Sequence, residues 1–255
     1  LYEKVNAESR HFRIAQLNLA SALLRQEWWT DAQIAITAAL KDKRSKRDEL
    51  DYRLFTILGF SQIQFGFYRD ARESFRNIAI SSHYSQRALL GLGIAALHQQ
   101  DFIGALNAFD KLRTQPNKDI SVAEAHLLSA FTLRQLEQFD AATSRYQEAI
   151  KYYQVLSADI DALLKAKTSV SIQFLRPENN KDKTLKNTAH KLALLDSLTT
   201  QGLSGPEAII ISSLKTKLVA ISAERAGLLL REEKNAVDSY LSQSQFGLAS
   251  LYDQK

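Results

Sequence analysis

An internal repeat constrains the fold of this 255-residue chain more than any other feature of its sequence. An aromatic residue is followed three positions later by alanine, and four positions after that by a bulky residue. The pattern occurs four times, as Trp29, Ala32 and Ile36; Tyr68, Ala71 and Phe75; Phe102, Ala105 and Phe109; and Phe139, Ala142 and Tyr146. Its alanines recur every 34 to 39 residues, a period that is typical of stacked helix pairs.

Each repeat also carries a small residue twelve positions before its alanine. These small residues are Ala20, Gly59, Gly93 and Ala130. Apolar residues at helical spacing precede and follow each aromatic residue. Two facing helices that meet at small residues can approach closely, and the remaining apolar face is buried against the next pair. The sequence therefore predicts four helix hairpins that stack into an array.

These residues closely resemble the signature of tetratricopeptide (TPR) repeats. The resemblance implies an all-α fold, a right-handed superhelical TPR array of helix hairpins, followed here by long C-terminal helices. It predicts an array over residues 1–150, with repeats at 13–42, 52–80, 86–116 and 123–150.

The first and fourth repeats depart from the TPR pattern. Gln16 and His126 occupy a position that usually holds a bulky apolar residue, and Ser129 stands in place of leucine. We expect irregular helix packing in these two repeats.

The pattern changes in residues 151–255, which we expect to form a separate helical region. Helical spacing of apolar residues predicts a helix over 151–175, and the polar run 178–183 predicts a loop. Residues 202–205 predict a stop before a long helix near 206–252, with Pro206 in its first turn. The apolar positions of that helix shift phase after Leu228, which favours packing on the array or on a neighbouring helix over a sustained coiled coil.

The stretches at 88–96 and 240–253 resemble a group of uncharacterised TPR proteins of Gram-negative bacteria. That resemblance implies a bacterial protein in the periplasm or at the cell envelope rather than in the cytoplasm. The chain begins at Leu1 and contains no methionine, so we expect a processed or trimmed segment. No apolar run is long enough to cross a membrane.

The composition offers little for catalysis. The absence of cysteine excludes disulfides, zinc–thiolate sites and cysteine nucleophiles. No two of the five histidines lie three or four residues apart, so no helix presents a histidine pair to a metal. The segment Gly91-Leu92-Gly93 lacks the third glycine of a dinucleotide-binding loop and lies within a helical pattern. We therefore expect no enzymatic activity, no cofactor and no metal.

The net charge of +5 and the pI of about 9.3 raise the alternative of an RNA-binding helical repeat. The richest basic segment, 41–47, is short and lies between two helical patterns, which favours a solvated loop. We expect no nucleic-acid partner.

The TPR resemblance implies a concave groove lined by the first helix of each repeat. The residues that it assigns to this groove are Leu17, Ser21, Leu24, Thr56, Phe60, Ile63, Leu90, Ile94, Leu97, Leu127, Phe131 and Arg134. Because these side chains are mostly apolar, we expect a protein or peptide partner, such as an amphipathic helix. Two alternatives remain open, namely that the chain's own C-terminal helix fills the groove, and that the chain is a structural subunit that forms a homo-oligomer through its C-terminal helices.

Overall fold

A computed structural model of the chain describes residues 2–41, 47–115, 120–166, 182–200 and 206–253. The described residues form a short 3-10 helix, Tyr2–Lys4, and ten α-helices, with no strand among them. These helices are α1 (Phe12–Arg25), α2 (Trp29–Leu40), α3 (Glu49–Gln64), α4 (Tyr68–Arg76), α5 (Ser85–His98), α6 (Phe102–Arg113), α7 (Ile120–Gln135), α8 (Phe139–Lys165), α9 (Lys183–Thr200) and α10 (Pro206–Tyr252). None of these helices is both long and apolar enough to cross a membrane.

The chain divides into two compact units. The first comprises residues 1–149 with 246–255, and the second comprises residues 150–245. In the first unit, α1 packs on α2, α3 on α4 and α5 on α6, and each hairpin also contacts the hairpin that follows it. This arrangement confirms the predicted all-α, TPR-like array of helix hairpins.

Buried aromatic rings hold the hairpins together. The Phe75 side chain is 1% exposed and lies between Gly59 of its own hairpin and Gly91 of the next. A Cβ atom on Gly59 would come within 2.6 Å of the Phe75 ring, and one on Gly91 within 2.2 Å. Gly93 faces the buried ring of Phe109 in the same way, at 2.3 Å. These positions are glycine because the rings occupy the space of any larger side chain.

The last turns of α10 continue this packing at the end of the array. Tyr146 is the fourth-repeat counterpart of Phe75 and is 2% exposed. A Cβ atom on Gly247 would lie 2.6 Å from its ring. Gly247 therefore meets Tyr146 as Gly91 meets Phe75, and the end of α10 covers the fourth hairpin as a following repeat would. Terminal covers of this kind shield the open end of a repeat array.

The turn inside each hairpin has a common backbone conformation. Glu27, Gly66, Gln100 and Glu137 occupy the equivalent position and have φ values of 61°, 77°, 59° and 57°. In the third hairpin the next residue is Asp101, whose carboxylate accepts a hydrogen bond of 2.9 Å from the N–H of Gly104. That bond and the Arg72 guanidinium, 2.8 Å away, lower the pKa of Asp101. Asp101 therefore caps α6 and ties it to the preceding hairpin.

The second unit contains the end of α8, all of α9 and most of α10. Asp182 accepts a hydrogen bond from the N–H of Leu185 at the start of α9 and pairs with Arg225 of α10 at 2.9 Å. The ring of Tyr153, which is fully buried, lies 6.0 Å from that of Tyr240. The helix predicted over 151–175 is continuous with the fourth hairpin and ends at Lys165. Residues 167–181 and 201–205, where we predicted most of a loop and a helix stop, lie outside the described residues.

Candidate functional site

The predicted groove residues lie on the first helices of the four hairpins, three on each helix. We call each set of three a stripe. The spacing of three to four residues puts the three members of each set on one face of α1, α3, α5 or α7. The innermost member of each set is buried, and the exposed fractions are 3% for Leu17, 3% for Thr56, 6% for Leu90 and 9% for Leu127. The other eight residues are half-buried. The predicted groove residues are therefore only partly accessible to a partner, and we call them the floor of their stripe.

Several of these residues also belong to the cores of their hairpins. Leu24 packs on the first apolar cluster, Phe60 and Ile63 on the second, and Ile94 and Leu97 on the third. The rings of Phe60 and Phe75 meet edge to face at 5.1 Å. Phe60 thus supports the buried ring that joins two hairpins while part of its own surface stays accessible. The assignment of these residues to a partner-binding groove stays a prediction.

Exposed residues at the ends of these stripes were not among the predicted groove residues. Arg53 and Arg87 lie one helical turn before Thr56 and Leu90, and both are exposed. The Arg87 guanidinium carbon is 5.8 Å from the centre of the Phe60 ring, in the preceding stripe. Their position three residues before a floor residue is the signal that would have identified them. The stripes on α3 and α5 therefore combine a mostly apolar floor with an exposed arginine at one end.

A polar network explains the departures in the fourth hairpin. Asp110 of α6 accepts a 3.0 Å hydrogen bond from the Ser129 hydroxyl of α7 and pairs with Arg145 of α8. Arg113 of α6 donates a 3.1 Å hydrogen bond from Nε to Nδ1 of His126. Hydrogen bonds and ion pairs thus replace apolar contacts where three helices meet. Ser129 and His126 therefore join the hairpins by specific polar contacts rather than by loose packing.

His126 is buried and links α7 to α6 through its hydrogen bond with Arg113. Burial lowers its pKa to about 4, so the imidazole is neutral at physiological pH. Because Arg113 donates to Nδ1, that nitrogen carries no proton. A general acid or base for neutral pH needs a pKa near 7. His126 is thus suited to accept a fixed hydrogen bond and not to transfer a proton.

A serine and a lysine lie close together in the second unit. Lys234 Nζ donates to the Ser157 hydroxyl at 2.8 Å and to Asp161 at 3.0 Å, and the Ser157 hydroxyl donates to Asp238 at 3.0 Å. A lysine that activates a serine must be neutral. Here the hydrogen bond to Asp161 raises the pKa of Lys234, so the amine stays protonated. The group is an ion-pair network between α8 and α10. Among the described residues, no three histidine, aspartate or glutamate side chains form a potential metal site.

Comparison with known families gives one match. Residues 58–119 match the family described as Tetratricopeptide repeat. The matched segment is about a quarter of the chain and runs from within α3 to beyond α6, over most of the two hairpins with the most regular signature. A search of curated proteins found no match. The family match supports the assignment of the array as TPR repeats, which generally mediate protein–protein interactions and are typically non-catalytic.

Proposed function

We propose that this chain is a non-catalytic scaffold that binds a protein or peptide partner through the stripes on α1, α3, α5 and α7. The observation that carries the proposal is the repetition of one arrangement on stacked helices, with a mostly apolar floor of buried and half-buried residues in each stripe and exposed arginines at the ends of the central two. The neutral His126 and the protonated Lys234 support a function without catalysis. The periplasmic or envelope-associated setting implied by the sequence resemblance is part of the same proposal.

The partner that fits this surface is an acidic segment with apolar side chains. Burial of apolar surface over several repeats provides most of the binding free energy, concentrated in a few residues. The exposed guanidinium groups of Arg53 and Arg87 attract carboxylates and set the orientation of the partner. Arg134, half-buried in the fourth stripe, adds a third positive charge.

A site-specific photo-crosslinker tests which helices contact the partner. A photoreactive amino acid replaces Arg53 or Arg87 in the full chain, and crosslinked proteins are identified from native cells by mass spectrometry. The matched control carries it in place of Arg69, an exposed arginine on α4. We expect one protein to be captured from positions 53 and 87 but not from 69. Capture from position 69 alone would place binding on the second helices and contradict the proposal.

Charge reversal then tests the chemistry of recognition. Phe60 is a poor choice for substitution because its ring supports Phe75. The variant Arg53→Glu/Arg87→Glu changes only exposed side chains and inverts the charge of the central stripes. We expect binding of the captured protein to weaken about tenfold or more, as is typical for close charge pairs across an interface. Arg69→Glu is the control and is expected to bind normally.

A second candidate function, self-association through α10, is favoured by a separate observation. Four residues of one stripe on this helix are exposed although they are large and apolar: Ile210 (58%), Leu214 (44%), Ile221 (49%) and Leu228 (43%). Exposed apolar stripes at this spacing are typical of helix pairing. Light scattering of the full chain and of Leu214→Ser/Ile221→Ser tests it. A wild-type mass of one chain would exclude this candidate, and a dimer that the substitutions dissociate would support it.

A further inference from the structure

An open recess lies where the turns of the first and second hairpins meet, and three of the six residues that line it are aromatic. It has a volume of about 420 Å³ and is lined by Glu27, Trp28, Trp29, Thr30, Asp31 and Phe65. The rings of Trp29 and Phe65 meet edge to face at 4.9 Å. Trp28 is 57% exposed and Phe65 is 44% exposed. We call this feature the tryptophan recess.

The packing of the hairpins does not account for Trp28. This residue occupies the position before α2 that Asp101 occupies before α6, where Asp101 caps the helix through its carboxylate. Trp28 makes no such hydrogen bond, so the first hairpin lacks the stabilisation that a polar cap provides. Most of the indole is instead in contact with solvent. Tryptophan is enriched at binding surfaces, and Trp28 shares this recess with the rings of Trp29 and Phe65.

Two carboxylates border the aromatic rings. Glu27 lies in the turn with φ of 61°, and Asp31 lies in the first turn of α2. Among the described residues, none forms an ion pair with either carboxylate. The chain as a whole carries a net charge of +5, so this recess is an acidic and aromatic site on a basic protein. Aromatic faces beside carboxylates are complementary to a planar cation.

We propose that the tryptophan recess binds an arginine side chain of a protein partner. The guanidinium group stacks on the indole of Trp28 or Trp29 and donates hydrogen bonds to Glu27 or Asp31. Arginine fits better than lysine because its planar guanidinium stacks on rings and pairs with carboxylates in the same geometry. The recess is built from the turn residues of the first two hairpins and not from the groove residues, so it is a second contact point that does not depend on the groove.

The chain provides its own reporter for this test, because Trp28 and Trp29 are its only tryptophans. Their fluorescence is recorded while a hexa-arginine peptide is added to the full chain. A hexa-citrulline peptide, which has nearly the same shape but no charge, is added in a parallel titration. We expect saturable quenching or a spectral shift with arginine, and an apparent affinity for citrulline that is about tenfold lower or less.

A charge-neutralising variant and a matched control locate the effect. The variant Glu27→Gln/Asp31→Asn removes both carboxylates, and glutamine is compatible with this turn because Gln100 occupies the equivalent position with φ of 59°. The control Glu137→Gln/Asp140→Asn removes two carboxylates at the turn of the fourth hairpin. We expect the first variant to weaken arginine binding about tenfold and the control to bind as the wild type does. Circular dichroism verifies that both remain helical.

Three results would overturn the proposal. Equal responses to arginine and citrulline would show that charge is not recognised. Equal losses in both variants would show a net-charge effect and not a local site. A change of emission with protein concentration alone, in the absence of peptide, would show that a second copy of the chain occupies the recess.

Discussion

The glycines of the array and the glycine in the middle of α10 have opposite surroundings. Gly59, Gly91 and Gly93 each face a buried aromatic ring that leaves no room for a Cβ atom. Gly227, in the second unit, has no atom within 4 Å of the position its Cβ would take. In the array, packing dictates the identity of residues at fixed spacing. Around Gly227 in α10, the neighbouring atoms do not require a particular residue, and the sequence needs only an approximate helical spacing of apolar residues.

Apolar side chains show the same contrast. The array buries its pattern alanines completely, with Ala32, Ala71, Ala105 and Ala142 all 0% exposed. Along α10, Ile209 is 71% exposed and alternates with buried positions such as Ile211, at 8%. Substitutions should therefore have large and position-specific effects on the stability of the array, and small effects at most exposed positions of α10.

Removal of a buried ring from the array should produce the largest difference in stability between the array and α10. Phe75→Ala deletes a side chain that fills the space between two hairpins, and such a change costs about 3–5 kcal/mol of unfolding free energy. Leu214→Ala is the matched large-to-small change on α10, at a residue that is 44% exposed, and should cost less than about 0.5 kcal/mol. Urea denaturation followed by circular dichroism measures both. Similar losses of unfolding free energy in the two variants would show that packing constrains the array no more than it constrains α10.

Acid should destabilise the array through His126. Its folded pKa of about 4 lies below the value of about 6.5 for an unfolded histidine, so protons favour the unfolded chain. The stabilisation is complete above the unfolded value and is lost as the pH falls from about 6.5 to 4, by up to about 3 kcal/mol. Denaturation midpoints measured across this range should show less pH dependence in His126→Gln.

His83→Gln is the control for this experiment, because His83 is exposed. It should retain the acid sensitivity of the wild type. An unchanged pH profile in His126→Gln would contradict the assignment of the effect to the buried imidazole.

Adding a methyl group should change stability with opposite signs in the two regions. Gly91→Ala forces a Cβ atom against the Phe75 ring and should destabilise the fold by about 1–3 kcal/mol. Gly227→Ala adds the same group in open space and improves helix propensity, for a gain of about 0.5–1 kcal/mol. Thermal and urea denaturation of the two variants give the signs directly. A loss of stability in Gly227→Ala would show that this glycine has a close neighbour.

The array could be predicted from the sequence because its packing depends on single residues at regular spacing. Phe75 and Gly59 both belong to the repeat pattern of the sequence, whereas the contact of Gly91 with the same ring was not predicted. The network that links Asp110 and Arg113 of α6 to His126 and Ser129 of α7 and to Arg145 of α8 could not be predicted. It joins three helices and shows in the sequence only as a departure from the pattern. The contact of Gly247 with Tyr146 joins residues that are far apart in the chain and gives no local signal.

The candidate site was predictable only in part. The sequence identified the floor of each stripe by its helical position within the repeat. The exposed Arg53 and Arg87 were missed because the TPR resemblance assigns three positions on each first helix to the groove, and neither arginine occupies one of them. The tryptophan recess was also missed, since a residue pattern does not show that Trp28 is exposed while Trp29 contacts Phe65.

The affinity of the protein captured from position 87 tests the central claim most directly. Isothermal titration calorimetry measures its Kd for the full wild-type chain, for Arg53→Glu/Arg87→Glu and for Leu214→Ser/Ile221→Ser. If the stripes on the first helices of the array bind the partner, the arginine variant weakens binding about tenfold or more and the α10 variant binds as the wild type does. Normal binding by the arginine variant together with a loss in the α10 variant would contradict the claim.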